Sequence, residues 1–304
     1  MNPNSGRKTE SIAVLGGGYV GGALVRRALE KGMRVSALTR NPATAAALNR
    51  MGAVNVVCTD LESEAWHDRI TPRQDIVVNC VGSGGGGVEG YRRSYVRGQE
   101  SINRWLSRGG ASILLYTGST GVYPQDDGSV VDETCPAGGH SEYADVLLEA
   151  ERKVIEDAGR AELRYVLRLA GIYGPARHYM LDRVLSEAGT IRGNGEDIMN
   201  AVHLDDVCGA AWAVIEGSEA GTGGIYNVVD DCPAKRSEVA GWLAMKTGRR
   251  VPRFDVEAEG FRPGRRRARN RRISNEKLKQ VFSWRPVFPT FREGYERILK
   301  RAVP

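Results

Sequence analysis

No apolar run in the chain approaches the roughly 18 residues that a membrane span requires, so no transmembrane helix is expected. The opening stretch MNPNSGRKTE has no apolar centre of the kind a secretory leader needs. A soluble, cytoplasmic protein, monomeric or homodimeric, with a flexible stretch over 1–10, is therefore expected. Cysteine is sparse: Cys58, Cys80, Cys135, Cys208 and Cys232 are odd in number, scattered and never spaced as CxxC. That pattern argues against a disulfide framework and a zinc site; the five are expected to be reduced packing residues, and no metal is expected. Only 12 prolines occur in 304 residues, with 41% hydrophobic and 26% charged residues, which excludes disordered and collagen-like classes. The length suffices for one large or two modest domains with a real core.

What is present begins with charge. The net charge of +6 is concentrated between Arg249 and Arg272, where ten arginines face only Asp255, Glu257 and Glu259. Such a cluster can mark nucleic acid or an anionic ligand as partner. No aromatic residue interleaves with the arginines of 262–272 and no nucleic-acid-binding module is recognisable nearby, so nucleic acid is not the expected partner. A solvated basic loop and an anion-binding segment both remain open.

The first half alternates strands and helices, the pattern of a parallel sheet covered on both faces. Apolar runs predict strands at Ser11 to Leu15, Arg34 to Thr39, Val54 to Cys58, Ile76 to Cys80, Ser112 to Thr117 and Tyr165 to Leu169. Val20, Leu24 and Ala28 repeat at helical spacing before Gly32. The expected fold is α/β, a doubly wound parallel sheet, with a smaller C-terminal lobe. The domain limits read as 11–170 for a dinucleotide-binding domain and 171–304 mainly for a substrate lobe, with segments returning to the first. Later elements include a helix from Met180, a strand at Ile225 to Val229, a helix from Arg236 to Lys246, and a last helix opened by a Thr290/Glu293 capping box.

Directly after the first strand stand Gly16, Gly18 and Gly21, a GxGxxG at the mouth of a helix. The first glycine permits a tight turn, the second lets a pyrophosphate approach the backbone, and the third allows close helix-to-strand packing. Tyr19, Val20 and Gly21 then form the helix amino end that faces the phosphates. The bland alternative is a flexible glycine turn. The second strand ends in Leu38, Thr39, Arg40 and Asn41, where an NAD-specific site places Asp or Glu for the ribose hydroxyls. This favours NADP(H), with Arg40 binding the 2′-phosphate bidentately; the alternative is a solvated surface charge. Asp60 suits a hydrogen bond to the adenine amino group, and Asp is also a common turn residue.

Taken with YTGSTGVY (Tyr116 to Tyr123), LRLAGIYGP (Leu167 to Pro175), VHLDD (Val202 to Asp206) and YNVVD (Tyr226 to Asp230), the chain resembles the extended short-chain dehydrogenase/reductases, the NAD-dependent epimerase/dehydratase group, and most closely its small atypical members. The resemblance implies a Rossmann domain and a C-terminal lobe that closes over a small-molecule substrate. It implies that Ser119 binds the substrate oxygen and that Tyr143 is the catalytic tyrosine of a YxxxK helix. At the lysine position stands Leu147, and Tyr95 replaces the family asparagine before the VxG turn at Val96 to Gly98. The resemblance further implies a structural role for His203 at the start of a helix that Asp206 helps to cap.

Leucine can neither activate a phenol nor hydrogen-bond a nicotinamide ribose. Without the cation Tyr143 is a poor general base, yet a neutral phenol still donates a proton to an oxygen that gains charge as hydride arrives. The resemblance and this gap together imply an NADPH-dependent reductase of a carbonyl or imine. The alternatives are a sugar-nucleotide epimerase or dehydratase and a non-catalytic NADP-binding sensor or scaffold. His178 is a candidate to face substrate, and within the basic segment Arg265 and Arg267 are candidates for an anionic group, as the resemblance implies for that lobe. His140 is a further possible donor or a loop residue.

Overall fold

The computed structural model describes residues 10–157, 159–186, 189–218, 223–257 and 270–302. The chain opens with β1 (Ser11–Leu15), α1 (Tyr19–Glu30), β2 (Arg34–Thr39), α2 (Pro42–Met51), β3 (Asn55–Cys58) and β4 (Arg73–Asn79). Then follow α3 (Gly87–Tyr91), a π-helical stretch Arg92–Arg97, α4 (Gly98–Ser107), β5 (Gly110–Ser119), β6 (Val130–Val131), α5 (Glu142–Ile155) and β7 (Ala161–Leu169). The remainder comprises β8 (Gly171–Tyr173), α6 (Tyr179–Leu185), β9 (Thr190–Arg192), β10 (Ile198–Met199), β11 (Ala201–His203), α7 (Leu204–Glu216), β12 (Gly224–Val228) and β13 (Ala234–Lys235). It closes with α8 (Arg236–Thr247), β14 (Arg253–Asp255), β15 (Arg272–Ile273), α9 (Glu276–Phe282) and α10 (Phe291–Ala302).

One seven-stranded sheet has the order β12-β7-β5-β4-β1-β2-β3. β1 runs parallel to both β2 and β4, β2 to β3, and β4 to β5. The chain therefore winds outward from β1 to β3, then returns to β4 on the other side of β1, the reversal that defines a doubly wound Rossmann sheet and opens a crevice at the strands' carboxyl ends. The apolar runs explain the central strands: Ile12 to Leu15 and Ile76 to Val78 are fully buried, as strands covered on both faces must be. β4 begins three residues before its apolar run. Its polar start is held because Asp75 accepts hydrogen bonds from the amides of Glu10 (3.0 Å) and Ser11 (2.9 Å) and from the Ser11 hydroxyl (2.9 Å).

The chain forms two compact units, one from the described parts of Met1–Thr117, Glu149–Val166 and Thr222–Gly224, the other from those of Gly118–Leu148, Leu167–Gly221 and Ile225–Pro304. The second has its own apolar core, in which Met180, Leu181 and Val184 of α6 pack with Val239 and Leu243 of α8 and with Phe291 and Tyr295 of α10. The expected capping box is formed: Thr290 Oγ1 accepts from the Arg292 amide (3.1 Å) and Glu293 accepts from the Thr290 amide (3.0 Å).

Two expectations need correction. Asp206 does not cap α7; its carboxyl accepts hydrogen bonds from the amides of Val287 (2.6 Å) and Phe288 (3.1 Å), tying the approach to α10 onto α7, while His203 Nδ1 accepts from the Asp205 amide (3.2 Å) at the helix start. Cys58 is exposed and so is no packing residue, because it ends the edge strand β3. No helix among the described residues is long and apolar enough to cross a membrane.

Candidate functional site

The link from β1 to α1 is built from backbone alone. The amides of Gly16 and Gly17 both donate to the Leu38 carbonyl at 2.9 Å, which ties the turn to the end of β2. Gly16 has φ of 107°, and a Cβ there would lie 2.6 Å from the Val81 nitrogen; a Cβ on Gly21 would lie 2.1 Å from the Gly16 oxygen. Gly18, by contrast, has nothing within 4 Å of where its Cβ would stand, so its face is open. α1 begins with no side-chain cap and no acidic residue in its first turn. Its first-turn amides, at Tyr19, Val20 and Gly21, point out of the positive end of the helix dipole. The neighbouring α2 is capped in the ordinary way, with Asn41 Oδ1 accepting from the Thr44 amide at 3.0 Å and Pro42 in first position. An uncapped helix start beside a glycine cradle fits a dinucleotide pyrophosphate.

Arg40 continues from β2 with its side chain 45% exposed and Nη1 4.0 Å from Asp60 Oδ1, beyond the end of β3. No carboxylate stands in the stretch Leu38 to Asn41. Thr39 and Asn41 are turned inward to the backbone, Thr39 Oγ1 accepting from the Asn41 amide at 3.3 Å. Across from them the Tyr95 hydroxyl accepts from the Ser83 amide at 3.0 Å, and the Tyr91 and Tyr95 rings lie 5.2 Å apart. Burial pushes the Tyr95 phenol above its ordinary range, and nearby Arg40 pulls it partly back. Tyr95 stands in the π-helical stretch; such stretches occur often at functional sites.

The second unit carries the other candidates. Ser119 Oγ accepts from the Gly121 amide at 3.0 Å, which leaves its proton to be donated. Tyr143 lies half-buried in the first turn of α5, and Leu147, one turn on, is buried with 8% exposure. The approach to α5 is fixed by Ser141 Oγ, which accepts from the Ala144 amide at 3.2 Å, and by Asp145, which accepts from the Gly139 amide at 2.8 Å. His140 Nδ1 lies 3.4 Å from the Gly138 oxygen. His178 precedes α6 with Nδ1 2.7 Å from Asp182 Oδ1, so its imidazole is held by a carboxylate of its own helix. Arg265 and Arg267 lie outside the described residues.

Among the arginines of 262–272, Arg271 and Arg272 are described, and both are engaged with main chain. Arg271 is buried and donates to the carbonyls of Thr120 (2.9 Å) and Gln125 (3.4 Å); Arg272 donates to the Gly128 carbonyl. They fix the segment that follows Ser119, a role that charge alone does not suggest. Behind it, Arg168 lies over the Tyr123 ring at 4.9 Å and the Tyr123 hydroxyl donates to Asn227 Oδ1 at 2.9 Å. The Asn227 amide in turn donates to Glu133 Oε1 at 2.6 Å, and burial pushes the Glu133 carboxyl above its ordinary range. Arg168, Asn227 and Glu133 were not among the sequence candidates; the motifs LRLAGIYGP and YNVVD contain the first two and were their only sequence sign.

The family model described as NAD dependent epimerase/dehydratase family matches residues 12–228. Protein YeeZ of Escherichia coli (strain K12) is 33% identical over 141 residues, which cover 46% of this chain and 48% of that protein. The 3-diazoavenalumate denitrifying reductase of a Streptomyces species is 30% identical over 142 residues, 43% of this chain and 46% of that one. The chain thus spans about half the length of the curated relatives it matches. Among solved structures, the dTDP-glucose 4,6-dehydratase DesIV of Streptomyces venezuelae, with NAD and TYD bound, superposes with a TM-score of 0.79 at 20% identity over 95% of both chains, a likeness of fold.

Proposed function

The chain belongs to the NAD-dependent epimerase/dehydratase family, and on that premise we propose that it is an NADPH-dependent reductase of a carbonyl or imine in a small molecule that can carry an anionic group. The observation that carries the cofactor choice is the end of β2, where a half-exposed guanidinium stands and the stretch Leu38 to Asn41 holds no carboxylate, the nearby Asp60 lying beyond β3 with its Oδ1 4.0 Å from Arg40 Nη1. A carboxylate there would repel a 2′-phosphate, whereas a guanidinium pairs with it through two parallel hydrogen bonds.

NADPH, when bound, supplies the hydride. The chain's own residues hold it: the Gly16 to Gly21 turn and the amino end of α1 take the pyrophosphate, Arg40 the 2′-phosphate and Asp60 the adenine amino group. Ser119 holds the acceptor oxygen with a hydrogen bond from its hydroxyl, and Tyr143 transfers its phenol proton to that atom as charge gathers there. Leu147 offers no positive charge to stabilise a phenolate, so Tyr143 works as an acid and reduction is favoured over alcohol oxidation. The reductase named among the relatives is consistent with that direction. An anionic group on the substrate is assigned to Arg265 and Arg267, and His178 is assigned to face the substrate. The protein is proposed to work in the cytoplasm as a monomer or homodimer.

The test is calorimetric titration with NADPH and NADP, followed by a panel of carbonyl and imine substrates. Turnover with freely exchanging NADPH supports the reductase. Binding without turnover across the panel overturns it in favour of a sensor, for which the absent lysine is the specific observation. Oxidised cofactor retained through purification would point to an epimerase or dehydratase, whose cycle begins with oxidation.

A further inference from the structure

Beyond β4 the chain enters a loop that is pinned at successive points. The Cys80 amide donates to the Leu15 carbonyl (2.8 Å), the Val81 amide to Asn79 Oδ1 (3.2 Å) and the Ser83 amide to the Tyr95 hydroxyl (3.0 Å). The next four residues, Gly84 to Gly87, are all glycine. Three of them have a backbone reason: φ is 87° at Gly85, 82° at Gly86 and 64° at Gly87, all in the left-handed region that side chains avoid. Gly84 is not among the positive-φ residues, so its backbone would accept any side chain.

Its reason lies in what faces it. A Cβ on Gly84 would fall 1.9 Å from Arg40 Nη1 and 2.4 Å from both Cζ and Nη2, and these are the three nearest atoms. The guanidinium therefore rests against the glycine Cα, with Asp60 Oδ1 4.0 Å from the same Nη1. The Tyr95 bond to Ser83 fixes the height of this floor from the residue just before it.

We propose that Gly84 is a specificity-determining position for the cofactor: it seats the Arg40 guanidinium, and any larger residue at 84 displaces that guanidinium and weakens the grip on the 2′-phosphate. Gly84 is a positioning residue, acting through Arg40. The inference rests on the assignment of Arg40 to the 2′-phosphate made above. The substitution should leave the fold intact, since the colliding atoms are the tip of a flexible side chain and not backbone.

The test compares dissociation constants for NADPH and NADH in the parent protein, Gly84→Ala, Arg40→Ala and the double variant. Gly84→Ala should unfold at the parent's temperature, keep its NADH affinity and lose on the order of fivefold in the NADPH to NADH preference, about the value of one of two hydrogen bonds to the phosphate. In the Arg40→Ala background the same change should have no further effect on the ratio, because the group it displaces is gone. An unchanged ratio in Gly84→Ala beside a collapsed ratio in Arg40→Ala overturns the role of Gly84 alone. Equal loss of both cofactors in Gly84→Ala also overturns it, by showing a general distortion of the loop. An unchanged ratio in Arg40→Ala overturns the 2′-phosphate assignment and this inference with it.

Discussion

Arg40 follows a strand of the first unit with its guanidinium almost half exposed against a glycine, whereas Arg271 of the second unit is buried and donates to the carbonyls of Thr120 and Gln125. A comparable contrast holds between α1 and the acids of the second unit. α1 begins with neither side-chain cap nor acid, while in the second unit Asp206 is taken up by the Val287 and Phe288 amides and His178 by Asp182. In the first unit Arg40 and the amino end of α1 are left outward, whereas in the second Arg271 and Asp206 hold that unit's own backbone. A guanidinium is thus a ligand group or a structural strut according to what its donors meet, and residue type alone does not decide between them.

The sharpest way to separate the two regions is Tyr143→Phe, which keeps the ring and removes the proposed proton donor. Reductase turnover on a substrate found in the panel should fall by about 10² to 10⁴, with NADPH affinity in the first unit unchanged by calorimetry. Undiminished turnover would return the proton to another group or to water.

Asp206 gives the next largest effect, on stability. Burial raises its carboxyl to about 6, against an ordinary value of 3.8, with the Val287 and Phe288 amides opposing the rise. A carboxyl raised on folding is penalised once it ionises, so its share of stability is full below about pH 4 and is lost as pH rises through 6. The loss amounts to about 3 kcal/mol in all, roughly half of it above pH 5. Urea unfolding of the parent and Asp206→Asn between pH 4 and 7 should show the parent losing stability relative to the variant by most of that amount, about 2.4 kcal/mol. Parallel pH curves would contradict the account of this site.

Arg271→Ala should cost about 2 to 3 kcal/mol in urea unfolding, because two carbonyls near Ser119 lose their donor in a buried setting. Arg40→Ala, by contrast, should change stability by less than about 0.5 kcal/mol, as exposed positions do. Equal costs for the two arginines would erase the distinction between presented and internal charge.

How much of this was legible follows the same division. Gly16, Gly18 and Gly21 could be read because their spacing directly after the first strand is itself local, although the backbone that crowds Gly16 is that of Cys80 and Val81, and Arg40 because the end of a short apolar strand locates it. Asp206 and Arg271 could not be placed, since their partners lie 81 and 151 residues away in sequence. Nor could the polar start of β4, which pairs with β5 although no apolar pattern announces it. Gly84 sat in plain view within a glycine run, and its backbone conformation together with the position of Arg40 separates it from its three neighbours.

The central claim is that Arg40 selects the phosphorylated cofactor, and it is met most directly by measuring NADPH and NADH affinities for the parent protein and Arg40→Asp. A charge-assisted contact of about 1.5 to 3 kcal/mol predicts roughly ten- to hundredfold tighter NADPH binding in the parent, erased or inverted in the variant. Equal affinities for the two cofactors in the parent protein would contradict it.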